Sequence, residues 1–183
     1  MKKVLLIAAF AVFGFTQTQA QEEGFKVGVN AALPLGDYSE GYSFGAALDL
    51  GYLFDVADSF QVGAVTGYQH FFGKTETEEF FGTTVEFEND DAQFIPIAAS
   101  ARFFASEQFF FGADLGYALG LNDGNDGGFY YRPKVGYGLD SLAIVLSYTG
   151  VSFSDQTFSE GDFEVTVDGG TFSSLQLGVE FSF

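Results

Sequence analysis

The sequence predicts an all-β fold, an eight-stranded antiparallel up-and-down transmembrane β-barrel, on three observations. Eight stretches alternate apolar and polar residues with period two. The connections between them alternate short and long, as a meander with two unlike ends requires. Along the stretches one face is bulky and apolar, while the other carries Gly, Ala and Ser.

The chain opens on "MKKVLLIAAFAVFGFTQTQA", residues 1–20. Two lysines, an apolar run and a small residue at Ala20 make the layout of a secretory signal, with cleavage expected between Ala20 and Gln21. A membrane-spanning helix needs roughly 20 apolar residues, and the run Val4–Phe15 is too short. The sequence contains no cysteine, which excludes a lipoprotein signal, disulfides and thiolate chemistry. Residues 21–183 then form one β-barrel domain, with no Gly/Pro/Ser-rich linker dividing them.

Loss of residues 1–20 leaves 163 of 183 residues, and loss of Lys2 and Lys3 takes the formal charge from −18 to −20. A surface this acidic repels phosphates, so no nucleic acid is expected as a partner. Yet 47% of the chain is hydrophobic and 25 residues are Phe, too apolar for a disordered acidic tail. Charge and aromaticity must therefore be segregated in space.

The eight stretches are Phe25–Leu33, Tyr42–Phe54, Phe60–His70, Phe94–Phe104, Phe109–Leu121, Phe129–Leu139, Leu142–Val151 and Phe172–Phe183. Asp55–Ser59, Ala105–Gln108 and Asp140–Ser141 are the short connections, expected as periplasmic turns. Pro34–Gly41, Phe71–Gln93, Asn122–Gly128 and Ser152–Thr171 are the long ones, expected as extracellular loops. Pro96 and Pro133 fall inside stretches four and six, where each removes a ladder donor, and a bulge is the expected accommodation.

The two faces decide between water and lipid. In stretch two, Phe44, Leu48, Leu50 and Phe54 lie on one side, and Ser43, Gly45, Ala47, Asp49 and Gly51 on the other. Stretch five repeats this, with Phe111, Leu115 and Leu119 against Gly112, Asp114, Gly116 and Gly120. Soluble surfaces carry roughly 25–35% long charged side chains, which the small-residue face lacks. That face fits a crowded lumen, and the bulky one then faces lipid.

The last stretch, "LQLGVEFSF", alternates to its final residue. A barrel in hydrocarbon must close, so this strand is expected to pair with the first. Phe183, Phe54, Phe60, Phe103 and Phe109 are expected in one aromatic girdle, and Tyr68, Phe129 and Tyr131 in the other.

With its leader, eight amphipathic strands, the segment "GGFYYRPKVGYGL" and the ending "VEFSF", the chain resembles the small Gram-negative outer-membrane β-barrel proteins of the OmpX/OmpA-barrel type. The resemblance spans residues 21–183. It implies an outer-membrane location with both termini periplasmic, and contact with outer-membrane lipid and lipopolysaccharide. It further implies that Phe181 and Phe183 belong to a C-terminal signal read by the barrel-insertion machinery.

Alternation places Lys26, Asp49, Arg102, Asp114, Arg132, Lys134 and Glu180 toward the lumen. Buried charges need partners, so these seven are expected to form an ion-pair network that closes the barrel. Register counting pairs Lys26 with Glu180 across the seam, and sets Asp114 between Arg102 on one side and Arg132 and Lys134 on the other. The lone histidine, His70, lacks the Ser two residues on that a deacylase-type barrel would carry, since Phe72 stands there. It also lacks a recognisable His–Ser–Asp set.

No catalytic, cofactor-binding or metal-ligating set is found. The expected function is a non-enzymatic structural or surface-interaction role, with a narrow porin-like channel or a lipid-A-modifying enzyme as alternatives. Residues 74–91 hold seven acids and residues 154–170 hold five, each around an alternating run that reads as a protruding hairpin. These acids are expected first to serve solubility and bridging by divalent cations to lipopolysaccharide phosphates; the sharper, adhesion-like expectation is an edge that pairs with an extracellular partner.

Mass spectrometry of the membrane-extracted protein is expected to find Gln21 as its first residue. Retention of Met1 would remove the secretory reading.

Overall fold

A computed structural model describes residues 23–80, 83–122, 125–160, 163–167 and 169–183. The expected signal, with Ala20 and Gln21, lies outside the described residues. The strands are β1 (Gly24–Leu35), β2 (Tyr42–Ala57), β3 (Phe60–Gly73), β4 (Thr75–Phe80), β5 (Thr83–Glu88) and β6 (Ala92–Phe104). They continue as β7 (Phe109–Gly120), β8 (Gly128–Leu139), β9 (Leu142–Ser152), β10 (Gln156–Glu160), β11 (Phe163–Val167) and β12 (Thr171–Ser182). The eight long strands close in the order β1-β12-β9-β8-β7-β6-β3-β2, while β4-β5 and β10-β11 form separate two-stranded sheets.

Every barrel pair is antiparallel. The seam runs from Lys26 opposite Ser182 to Leu35 opposite Ser173. Past the end of β12, the Phe183 N–H still donates to the Phe25 carbonyl at 2.9 Å. Barrel strands run from 11 to 16 residues, enough for the roughly 9–11 that a tilted strand needs to span a bilayer. No helix among the described residues is long and apolar enough to cross a membrane; strands are the crossing elements.

The short connections are tight for local reasons. At Asp140–Ser141, Asp140 adopts φ 52°, a left-handed conformation that Asp tolerates and that matches strand twist in a two-residue hairpin. The long connections 74–91 and 154–170 rise as the β4-β5 and β10-β11 hairpins.

The prolines behave differently from expectation. Pro96 stays paired with Ala118, and Pro133 with Ala113. On the opposite neighbour the pairing merely lapses, between Thr66/Ile97 and Gln69/Phe94 and between Tyr131/Gly150 and Lys134/Ser147, and resumes in the same register. A proline removes one donor, so only one ladder feels it. No bulge forms there. The register shifts fall instead between β2 and β3, at Tyr42/Gly45 and Asp55/Ala57.

The side chains sort by parity. Phe44, Leu48, Leu50 and Phe54 of β2 and Phe111, Leu115, Tyr117 and Leu119 of β7 are exposed, while Asp114 and Ala118 are buried. Leu177 is 57% exposed and its neighbour Gln176 is 0% exposed. Large apolar groups outside and polar groups inside reverse the order of a water-soluble protein, so the outer wall meets hydrocarbon. At the short-turn end Phe60 pairs with Phe103, and Phe103 with Phe111. At the long-loop end Phe129 stacks on Tyr131 at 6.3 Å, and Tyr131 lies 6.1 Å from Tyr148. These rows lie at the two ends where the aromatic girdles are expected.

Candidate functional site

The lumen gathers the polar chemistry of the chain, and its centre is Asp114 of β7. This carboxylate is fully buried. Its Oδ1 accepts from Ser100 Oγ at 2.5 Å and from Lys134 Nζ at 2.7 Å. Its Oδ2 accepts from Arg132 Nε at 2.7 Å. Ser100, Asp114 and Arg132 are successive cross-strand partners on β6, β7 and β8, so antiparallel register alone brings them together. Arg132 then reaches across the barrel, its Nη1 donating to Asp49 Oδ2 of β2 at 2.7 Å. Asn30 of β1 donates to the same oxygen at 2.8 Å.

A second ion pair lies nearer the short turns. Arg102 Nη1 and Nη2 hold Glu180 Oε1 and Oε2 at 2.8 and 2.9 Å, a two-point grip between β6 and β12. Charge-assisted bidentate pairs of this kind are the strong ones. The same guanidinium lies 4.2 Å from the Phe110 ring centroid, a cation–π contact. Phe110 packs on Phe104 at 5.6 Å, in a buried cluster with Ala143 and Val145.

The structure therefore groups the seven predicted lumen residues otherwise than register counting suggested. Lys134 and Arg132 do meet Asp114, and Asp49 does join them through Arg132. Arg102, expected beside Asp114, takes Glu180 instead. Lys26 lies opposite Ser182 and donates to its Oγ at 2.9 Å, and its charge also acts on Glu180, the partner expected for it across the seam. Glu180 faces Gly28 across the seam, and Gly28 has no side chain to compete with the guanidinium arriving from across the lumen.

Above the charges lies a neutral polar layer. Gln69 Nε2 donates to the Tyr130 hydroxyl at 3.3 Å, and Thr149, Ser174 and Gln176 bond one another at 2.6–3.3 Å. Toward the long loops an aromatic layer follows. Phe172 lies 4.6 Å from Phe71, 5.5 Å from Phe94, 5.2 Å from Tyr42 and 5.1 Å from Tyr38. Beside the charges, a cavity lined by Gly28, Asn30, Asp49, Arg132, Lys134, Val145 and Glu180 measures about 10 Å³. That is room for about one water.

Sequence reasoning missed both aromatic layers. The signal was present: Phe94 and Phe104 share parity with Arg102, Phe110 with Asp114, Tyr130 with Arg132, and Phe172 with Glu180. In "FFF", at 109–111, two outward rings hide the inward one. Asn30 and Ser100 were also missed, as small polar residues on a face full of them.

Outside the lumen, His70 lies at the long-loop rim. Its Nδ1 pairs with the Tyr68 hydroxyl and its Nε2 with Asp91 Oδ2, both at 3.0 Å. Asp91 Oδ1 also accepts the Gly73 N–H at 2.9 Å. The ring thus bridges the end of β3 to the segment leading into β6. Lys74 donates to the Ser39 carbonyl at 2.7 Å. Among the described residues no group of three His, Asp or Glu side chains converges on a metal-sized point.

No protein-family model matches the chain, and no curated protein does. Among solved structures, the barrel is similar to the Yersinia pestis outer membrane protein Ail in a phospholipid bilayer nanodisc. The identity there is 14%, with a TM-score of 0.48 over 88% of this chain and all of that one. A crystal structure of Ail, the attachment invasion locus protein of Yersinia pestis, matches at 12% identity with a TM-score of 0.38, over 92% of this chain and all of that one. The fold and its lipid-facing wall follow from the chain's own closure and burial.

Removing the central carboxylate leaves Arg132 and Lys134 short of a partner in a buried site. Asp114→Ala is expected to destabilise the barrel by roughly 3–5 kcal/mol, read as a lower urea midpoint in lipid vesicles. Ala113→Val, one residue away on the lipid face, is expected to stay within about 0.5 kcal/mol of the unmodified protein. Equal midpoints for the two variants would show that the network carries no stability.

Proposed function

We propose that this chain is a non-enzymatic integral outer-membrane β-barrel with a structural or surface-interaction role, its lumen closed by its own side chains. One observation carries the closure. The four bases on the barrel strands, Lys26, Arg102, Arg132 and Lys134, all point inward and are buried, with Arg102, Arg132 and Lys134 in ion pairs to Asp49, Asp114 or Glu180 and Lys26 bonded to Ser182. Four bases against three acids leave the interior near neutral, although the chain is strongly acidic. A cation pore would be lined with acids left to meet ions. Aromatic layers flank these charges on either side, and the lower local dielectric strengthens each ion pair.

The proposed orientation sets both termini and the short turns in the periplasm and the hairpins outside. The signal at residues 1–20 delivers the chain, and the last strand with Phe181 and Phe183 engages the insertion machinery. Outer-membrane lipid and lipopolysaccharide are the proposed surroundings. The surface-interaction part of the reading rests on the two hairpins. Each is a two-stranded sheet of its own, in which both strands are edge strands, the kind of element that pairs with a partner's strand.

The refolded, unmodified barrel is expected to shift on a heat-modifiability gel and to be electrically silent in a planar lipid bilayer. A steady, reproducible channel from the same sample would replace closure with a pore.

Protease added to intact cells is expected to cut within residues 74–91 or 154–170. Cleavage confined to residues 55–59 would invert the orientation.

A further inference from the structure

At the long-loop end the connections between strands enclose a cavity that closure of the lumen does not explain. It measures about 380 Å³, within the roughly 300–1,000 Å³ of ligand pockets. Three aromatic residues line it: Tyr38 of the single turn Gly36–Ser39, Tyr117 of β7, and Phe153 just past β9. Asp126 and Asp155 belong to the same lining, and both are exposed. The lining holds no Lys or Arg. Lys74, on the same rim, gives its ammonium to the Ser39 carbonyl at 2.7 Å.

Local contacts hold these walls in place. The Tyr38 ring lies 5.1 Å from Phe172 and 6.4 Å from Phe153. Gly170 makes room for it, since a Cβ there would stand 2.7 Å from the Tyr38 hydroxyl. The Phe153 N–H donates to the Gly170 carbonyl at 2.9 Å. The Tyr117 hydroxyl donates to the Asp126 carbonyl at 3.0 Å, and Asn125 Oδ1 accepts the Gly127 N–H at 3.1 Å. Asp155 Oδ1 accepts the Gly169 N–H at 2.8 Å. Three separate connections thus present rings and acids in a fixed arrangement, which lowers the ordering cost of binding.

We propose that this cavity receives the guanidinium of an arginine side chain carried by an extracellular peptide segment. The inference deepens the surface-interaction reading above and rests on its orientation, which sets the long connections outside. Charge selects a cation. Asp126 and Asp155 are in the lining, and the long connections hold seven acids within residues 74–91 and five within 154–170, a field that draws cations in and repels anions. Among the described residues no three His, Asp or Glu side chains converge as a metal ion would need, so two acids beside three rings suit an organic cation. The rings then select its shape. A guanidinium is planar and weakly hydrated, so it lies flat on an aromatic face while its in-plane N–H groups donate to carboxylates at its edge. An ammonium is a compact charge that holds its water more strongly.

Amide NMR of the refolded, full-length barrel in lipid nanodiscs, titrated with the peptide acetyl-Gly-Arg-Gly-amide, tests this. The expected result is a saturable set of shifts confined to the surroundings of residues 38, 117, 125–127 and 153–155. The lysine peptide is expected to bind several-fold more weakly, and the citrulline peptide, whose urea is neutral, not at all. Asp126→Asn with Asp155→Asn removes both charges but keeps the oxygen that the Gly169 N–H needs, and is expected to weaken binding about tenfold or more. Tyr38→Leu removes a stacking ring and is expected to weaken it several-fold. Glu78→Gln with Glu79→Gln, in the β4-β5 hairpin, is expected to change affinity by less than about twofold in physiological salt. Shifts that fail to saturate, equal binding of the lysine or citrulline peptide, or unchanged affinity in either cavity variant overturns the proposal. A heat-modifiability gel on each sample separates the two readings: an unmodified protein with no shifted band fails as a membrane barrel, whereas a shifted band without saturable binding fails the cavity alone.

Discussion

Hydrocarbon offers no hydrogen-bond partner to a peptide group, and the pairing of β12 with β1 is how this chain meets that constraint. Ten residue pairs, from Lys26/Ser182 to Leu35/Ser173, turn an eight-stranded sheet with two open edges into a barrel with none. Each other feature of the wall follows from keeping that ladder intact. The strands must be long, their turns must fall outside the apolar band, and a proline is tolerated only where one neighbour can do without its N–H. Pro96 and Pro133 meet that condition, each with the opposite neighbour still paired.

Closure creates an interior, and with eight strands the interior is only just wide enough for side chains. The inward residues must therefore pack and satisfy one another. Near the short turns Phe104 and Phe110 fill the bore; near the long loops Phe71, Phe94 and Phe172 do. Between them lie the charges. Burying an ion pair is costly, and the return depends on geometry. Asp114 answers with three donors on its two oxygens, and Glu180 with a bidentate guanidinium. These bonds tie β2, β6, β7, β8 and β12 together across the bore, linking strands that are not neighbours in the ladder.

The wall outside has a simpler task, to match lipid. Most of its positions hold Phe, Leu, Ile, Val or Tyr, and small residues there change the local shape instead of the chemistry. Acids are absent from the outward apolar band and gather at the rims and hairpins. The net negative charge of the chain therefore acts where water can solvate it.

The strands were legible in the sequence because alternation is a local property: neighbouring residues on a strand must face opposite sides whatever the rest of the chain does. All eight barrel strands lie within three residues of the expected limits, and the same parity placed Lys26, Arg102, Asp114 and Arg132 inside. Even the inward rings Phe94, Phe110 and Phe172 could have been assigned from it. Partner choice was not legible. Ser100, Asp114 and Arg132 meet as ladder neighbours, but Arg102 passes over the β7 carboxylate for Glu180. Which inward groups share a level across the lumen depends on strand tilt and stagger around the closed barrel. Those are properties of the whole ring of strands, carried by no single stretch of sequence. The chain by itself determined which residues face inward; only closure decided which of them touch.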